Sequence, residues 1–263
     1  QKLTQKVYTR EMFGDLTNML KNNKITDEYI QYVNDFVTTE NEKAEKTENG
    51  WAYCVKEGFG FDMNNYIYSD IGVNMAAEGS ATKSVMAIDT LVNRLEDMFN
   101  KGMSNSNMNV SAEFVRSYIP TLCEMPDNQK LIEAQYDKLY GEWATEADEL
   151  LLVVDSYNRV TDITLALLGY RTIENCNTTT FDITFGGDSE FTFESAIGKT
   201  FYYMTNDTRY KKISAEEKTF VEYTYDITEL PSDAVPLKVK GVVRLKDTVE
   251  QGVLNTGIAY TSK

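Results

Sequence analysis

The sequence predicts an α+β protein: an N-terminal helical domain built on a long spine helix, then a C-terminal antiparallel β domain, either a small sandwich or an open barrel. Three observations predict this. Apolar residues recur with a period near 3.6 in most segments before Tyr170 and with a period of two after it. Turn signals at Gly186 and Gly187, at Gly198, at Asn206 and Asp207, and between Pro231 and Pro236 divide the later part into short strands. At 42% hydrophobic and 25% charged, the 263 residues hold enough apolar side chains for a core. The expected units are 1–50, a helical hairpin and linker; 51–170, mainly helical; and 171–263, antiparallel β.

In TREMFGDLTNML, Met12, Phe13, Leu16, Met19 and Leu20 share one helical face, and Thr9 stands where an N-cap is needed. The same spacing returns in Tyr29, Ile30, Val33, Phe36 and Val37, with Thr26 as cap and Asp27 and Glu28 complementing the helix dipole. Two such helices are expected to form a hairpin whose stripes close on each other or on a third element. TTENEKAEKTENG, residues 38–50, is polar and reads as a solvated helix extension or a linker. From 81 to 101 the face formed by Val85, Ile88, Leu91, Val92, Leu95, Met98 and Phe99 predicts a helix stopped at Gly102. A short helix is expected from Ser111, ended before Pro120.

The spine helix is expected over 128–157. Asp127 would cap it, and Leu131, Tyr136, Leu139, Tyr140, Trp143, Ala147, Leu150, Leu151 and Val154 keep helical phase along it. Trp143 should then be buried against the 85–99 helix, with Glu142, Glu146 and Glu149 forming a solvated face. A further helical segment runs to Leu168 and stops at Gly169. Beyond it, Phe181, Ile183 and Phe185 alternate with polar residues and should pair as a hairpin with Phe191 and Phe193. KTFVEYTYDIT and LKVKGVVRLK continue the alternation. In the second of these, Leu237, Val239, Val243 and Leu245 are placed on one face, and Lys238, Lys240, Arg244 and Lys246 on the other.

Composition restricts the chemistry. The chain has no histidine, which excludes hydrolytic or metal chemistry that needs an imidazole. Its net charge is -15, from 26 basic and 41 acidic residues, and this disfavours direct nucleic-acid binding. The acidity lies forward: from Arg171 onward there are 11 basic and 14 acidic residues, leaving 15 and 27 before it. Cys54, Cys123 and Cys176 have no metal-ligand spacing, and three cysteines cannot all pair within one chain. GGDSEF departs from the GGDEF signature of nucleotide cyclases by an inserted serine and is read as a turn. No catalytic, cofactor-binding or metal-ligating residue is assigned, no membrane span is expected, and neither is a small-molecule ligand. The chain opens on Gln1 without methionine, which removal of a leader by a signal peptidase or a maturation protease would explain, and so would a natural start that lies before Gln1. Trp51, Tyr53, Phe59, Phe61, Tyr66 and Tyr68 crowd one glycine-containing stretch and are the candidate interface residues.

The segment KVYTREMFGDLTNMLKNNKITDEYIQYVNDFVTTENEKAEK resembles the short helical T-R-E-M-F module of uncharacterised proteins from structural-gene neighbourhoods of phages of gut Firmicutes. The resemblance rests on the Thr9 to Phe13 start and the two-helix spacing; the more basic tail of that module is absent here. It implies no catalytic residue and a component of a phage particle. The expectation is therefore a non-enzymatic bacteriophage virion structural protein, capsid- or tail-associated, assembled in the host cytoplasm. Its partners would be other virion subunits or further copies of itself. Composition equally suits an alternative, a secreted or lipid-anchored binding module at the surface of a gut bacterium.

Overall fold

Strands from both sides of Tyr170 join in one ten-stranded mixed sheet that curls into a half-barrel. The computed structural model describes residues 25–44, 54–55, 62–73, 82–103, 122–177, 182–212, 220–222 and 230–263. The chain divides into two compact units, Gln1–Val55 and Lys56–Lys263. Mixed α+β character is thus observed, but the sheet belongs to the larger unit as a whole and not to the residues after 171.

In the smaller unit, helix α1 spans Asp27–Ala44 and continues through most of the polar stretch read as extension or linker. Thr26 Oγ1 accepts from the Tyr29 amide at 3.3 Å, as its N-cap role requires. The Glu28 carboxyl is held below its ordinary range by its own backbone N–H and by Thr26, which favours a charged residue in the first turn. The expected partner helix at 9–20 lies outside the described residues, as does the short helix from Ser111.

The larger unit opens on a 3-10 turn at Met63–Asn65 and strand β1, Ile67–Val73. Strand β2, Thr82–Ala87, then runs antiparallel to β1, from Tyr68 opposite Ala87 to Val73 opposite Thr82. Helix α2, Ile88–Met103, follows with no loop between. The helix expected from 81 therefore starts seven residues late, and it runs through Gly102. Val85 and Ala87 pack with Tyr68 and Met204 on one side of the sheet, while Met86 enters the main core on the other. A strand buried on both faces loses its period-two signature, and here it imitates a helix start.

The spine helix does not exist. In its place are α3 (Gln129–Gln135), β4 (Tyr136–Gly141) and β5 (Glu149–Val154), reached through the short strand β3, Cys123–Glu124. The N-cap of α3 is Asn128, not Asp127; its side chain accepts from the Leu131 amide at 3.1 Å. Gly141 ends β4 with φ +72, and a Cβ there would lie 2.3 Å from the Lys240 carbonyl oxygen, so the chain breaks where the helical phase assumed continuity. In β5, Leu150, Leu152 and Val154 enter the main core, and Leu151 and Val153 enter a second one with Tyr136, Val243 and Ala259. Trp143 lies in the 142–148 connection, half-buried against this second core and not against the 85–99 segment.

Helix α4, Asp162–Leu167, agrees with expectation. Thr161 caps it, and Gly169 ends it in the left-handed region at φ +76. Strand β6 (Arg171–Asn177) then pairs antiparallel with β7 (Asp182–Gly187). The expected partnership of 181–185 with Phe191 and Phe193 is not made. Phe191 instead stacks on Tyr170 at 4.6 Å, and Phe193 opens the short helix α5, Phe193–Ala196, capped by Thr192.

Strand β8, Thr200–Tyr203, precedes a turn of helix, α6, Asn206–Arg209. Strands β9 (Tyr210–Lys212) and β10 (Phe220–Glu222) form a separate antiparallel pair. Strand β11, Val235–Leu245, is the longest, and β12, Gly257–Tyr260, the last. The sheet order is β3-β12-β5-β11-β8-β1-β6-β7, with β2 added on β1 and β4 on β11. Pairs β5–β11, β1–β6 and β3–β12 are parallel, so the purely antiparallel expectation is corrected to a mixed sheet. Long stretches of chain between β5 and β11, and between β1 and β6, allow the parallel return that a tight turn forbids.

A register shift between Val239 and Gly241 moves β11 out of simple alternation. Leu237, Val239 and Val242 consequently face the main core, while Val243 and Leu245 face the second. The four residues expected on one face are divided between two.

The second core is closed by a clamp. The fully buried Tyr136 hydroxyl donates to the Leu254 carbonyl at 2.9 Å and accepts from the Leu254 amide at 2.7 Å. Lys246 Nζ donates to the Glu133 and Ala134 carbonyls at the end of α3, at 2.6 and 3.1 Å. Removing the hydroxyl leaves a buried N–H and C=O unsatisfied, a loss of about 2 to 3 kcal/mol. Tyr136→Phe should lower unfolding stability by about that amount in denaturant melts, while Tyr140→Phe, on an exposed ring, should change it by less than about 0.5 kcal/mol.

Candidate functional site

Helix α1 presents the principal exposed apolar surface among the described residues. Tyr29, Tyr32 and Phe36 are 59%, 66% and 49% exposed, and Ile25, just before the helix, is 72% exposed. Spacings of three and four residues set Tyr29, Tyr32 and Phe36 on one side of the helix. Ile30, Val33 and Val37, on the adjoining stripe, are half-buried. The row is bordered by acids: Glu28, Asp35 and Glu42 each stand seven residues apart. Lys43, the basic residue of the last turn, is held by Glu40 at 2.6 Å.

Of the aromatic residues singled out from sequence, Trp51, Tyr53, Phe59 and Phe61 lie outside the described residues. Tyr66 is half-buried, with the Arg209 guanidinium 4.9 Å from its ring centroid and the Tyr203 ring at 6.3 Å. Tyr68 is 7% exposed and packs with Val85, Ala87 and Met204. These two are thus placed in and beside the core. The sequence places Tyr29, Ile30, Val33, Phe36 and Val37 on the stripe expected to close on the 9–20 segment or on a third element, and residues 9–20 lie outside the described ones.

A second feature lies in the larger unit, where no small-molecule ligand was expected. The parallel strands β5 and β11 end side by side at Val154 and Leu245, and a cavity of about 450 Å³ opens beyond their carboxyl ends. That volume falls within the small-molecule range of about 300–1,000 Å³. It is lined by Val153, Leu245, Val249 and Leu254, and by Asp155, Lys246, Asp247 and Glu250. Asp155 is occupied: its carboxylate accepts from the Tyr157 and Arg159 amides at 2.9 and 2.7 Å and pairs with the Arg159 guanidinium at 2.8 Å. Burial raises its pKa, but these hydrogen bonds outweigh it and hold the carboxyl below the ordinary aspartate range.

Glu142, Glu146 and Glu149, placed by sequence on one helix face, sit on the connection before β5 and at its start. Glu142 and Glu149 converge on Lys240 Nζ at 3.0 and 3.3 Å. Glu149 also accepts from the Thr145 and Glu146 amides at 2.9 and 3.2 Å. Burial raises the Glu149 pKa, but the two amides and Lys240 more than offset it, and the group is held low. Burial, with Glu124, Cys123 and Asp62 nearby, pushes the Tyr260 phenol up to about 12, so it stays protonated at neutral pH. Among the described residues, no three Cys, Asp or Glu side chains converge to hold a metal ion. No helix among them is long and apolar enough to cross a membrane.

Compared with protein-family models, curated proteins and solved structures, the chain matches none.

Glu149 gives a pH prediction with a definite sign. Its pKa is lowered on folding, so its contribution is present above the unfolded value near 4.3 and is lost as pH falls through the folded value. Stability measured from pH 6 to 3 should fall less steeply for Glu149→Gln than for the unaltered chain. Parallel profiles would overturn this assignment.

Proposed function

We propose that this protein is a non-catalytic structural component of a bacteriophage particle, capsid- or tail-associated, that acts through assembly. The observation that carries the reading is the exposure of Ile25, just before α1, and of Tyr29 and Tyr32 on it. Large apolar side chains exposed together are the usual mark of a surface meant for another protein. The resemblance of residues 6–46 to a module from phage structural-gene neighbourhoods supplies the particle.

Mass spectrometry of purified virions should find the chain in fixed stoichiometry. Tyr32→Glu should reduce its incorporation at least about tenfold, the effect of placing a charge in the centre of an apolar contact. Melting of the isolated variant should stay within about 0.5 kcal/mol of the parent, since Tyr32 is exposed. Particles lacking the chain altogether would defeat the reading.

The cavity beyond β5 and β11 favours a second reading, a binding module at a bacterial surface. Its lining of Leu245, Val249 and Leu254 with carboxylates at Asp247 and Glu250, where the Lys246 ammonium is drawn onto the Glu133 and Ala134 carbonyls, suits a small organic cation with an apolar body. Titration with 2-phenylethylamine, followed by thermal shift, should saturate, and Val249→Trp, which fills the cavity, should abolish the shift. A shift unchanged in that variant would remove this reading.

A further inference from the structure

The cavity beyond β5 and β11 has two walls of different make. One belongs to the sheet: Val153 and Val154 end β5, and the turn after them is tied by the Asp155 carboxylate to the Tyr157 and Arg159 amides. The other is the strap 246–256, which joins β11 to β12 and lies in neither strand. Hydrogen bonds fasten the strap near its two ends, and they converge on one short segment, 133–136, where α3 passes into β4. At the first end the Lys246 amide donates to the Gln135 carbonyl at 2.9 Å, and Lys246 Nζ donates to the Glu133 and Ala134 carbonyls. At the second, the Val253 amide donates to Gln135 Oε1 at 3.0 Å, and the Tyr136 hydroxyl holds Leu254 by both its amide and its carbonyl. Gly252 passes so close that a Cβ there would lie 2.1 Å from the same hydroxyl. Of the strap's own side chains only Leu254 is buried, whereas in β5 every side chain from Leu150 to Val154 is. Detaching the strap therefore costs far less than parting the sheet, and segments with few buried contacts open locally well below the global unfolding free energy.

We infer that the strap is the moving wall of this cavity: it leaves the 133–136 segment as a unit while the sheet stays closed, and a small organic cation that bridges the two walls locks it down. This inference rests on the binding-module reading and adds the regulation of that site. The apolar body of the ligand meets Val153 and Leu245 at the strand ends, and its ammonium meets Asp247 and Glu250 on the strap. Opening breaks that bridge, so bound ligand leaves through the open strap, and free ligand opposes opening by mass action.

The test is amide hydrogen exchange of the full chain, read residue by residue. Without ligand, the Val253 and Leu254 amides should be at least about tenfold less protected than those of Leu151 and Leu152, with little dependence on denaturant, the mark of a local opening. Saturating 2-phenylethylamine should slow their exchange at least about tenfold. Release of the amine, followed by stopped-flow displacement, should quicken at least about tenfold in Gly252→Ala, whose Cβ pushes the strap off Tyr136. In Gln135→Ala, which removes only the acceptor of the Val253 amide, it should quicken about threefold. Tyr140→Phe should release at the parent rate. Strap amides as protected as those of β5, strap exchange indifferent to bound amine, or parent release rates in both strap variants would each overturn the inference. Failure of the parent reading is distinguishable. If 2-phenylethylamine does not bind, or Val249→Trp leaves its thermal shift intact, the binding-module reading falls and takes the ligand lock with it. If the amine binds and Val249→Trp blocks it while the strap amides ignore it, the reading stands and the moving wall falls.

Discussion

The larger unit depends on one constraint: both faces of β5 must be covered. Leu150, Leu152 and Val154 point one way and Leu151 and Val153 the other, and none is more than 2% exposed. Burying an aliphatic side chain of this size stabilises by about 1.5 to 3 kcal/mol, and exposing either face would forfeit several of them. Such a strand belongs inside a sheet, so β11 lies on one side of it and β12 on the other. The main core then fills from α2, β1 and β8, and the second core from Tyr136, Val243, Leu254 and Ala259.

The register shift in β11 follows from the same constraint. Leu237 and Val239 serve the main core at one end of the strand, while Val243 is needed in the second core at the other. Simple alternation would place Val239 and Val243 on one face; one added residue near Gly241 separates them. A Cβ at Gly241 would lie 2.1 Å from the Glu142 carbonyl oxygen, so the close approach there is open only to glycine. Tyr136 and Lys246 then fasten the chain that follows β11 across α3. The cavity is what remains between this fastened loop and the carboxyl ends of the two parallel strands.

Charge plays two parts. In the larger unit, carboxylates at Glu149 and Asp155 hold loops through backbone N–H groups, so part of the acidity serves structure. On α1 charge serves the helix itself: Glu28 complements the helix start, and Lys43 in the last turn pairs with Glu40.

Helix α1, its Thr26 cap and the stop of α4 at Gly169 were legible because they are local. A cap, a first-turn acid and a left-handed glycine each act within a few residues. The ends of β7 and β11 were legible for the same reason, since alternation shows wherever one face is polar. Residues 128–157 misled because Tyr136, Leu139 and Trp143 fall by coincidence in phase with an apolar run that, buried on both faces, has no period of its own. At 82–87 the same two-sided burial hid a strand ahead of a genuine helix. The apolar stripe of α1 was visible, but a stripe alone does not say what covers it.

The sequence by itself determined the composition, the acidic border of α1, the caps and stops of its short helices and the alternation of its half-exposed strands. Tertiary structure alone decided that β5 is a strand, that β5 and β11 run parallel, that β1 and β6 share a sheet across residue 170, and that a cavity opens where two strands end. The physical reason is range. Capping, helix phase and flanking charge depend on neighbours within a turn or two, whereas burial of a second face depends on side chains brought from far along the chain, which no local period records.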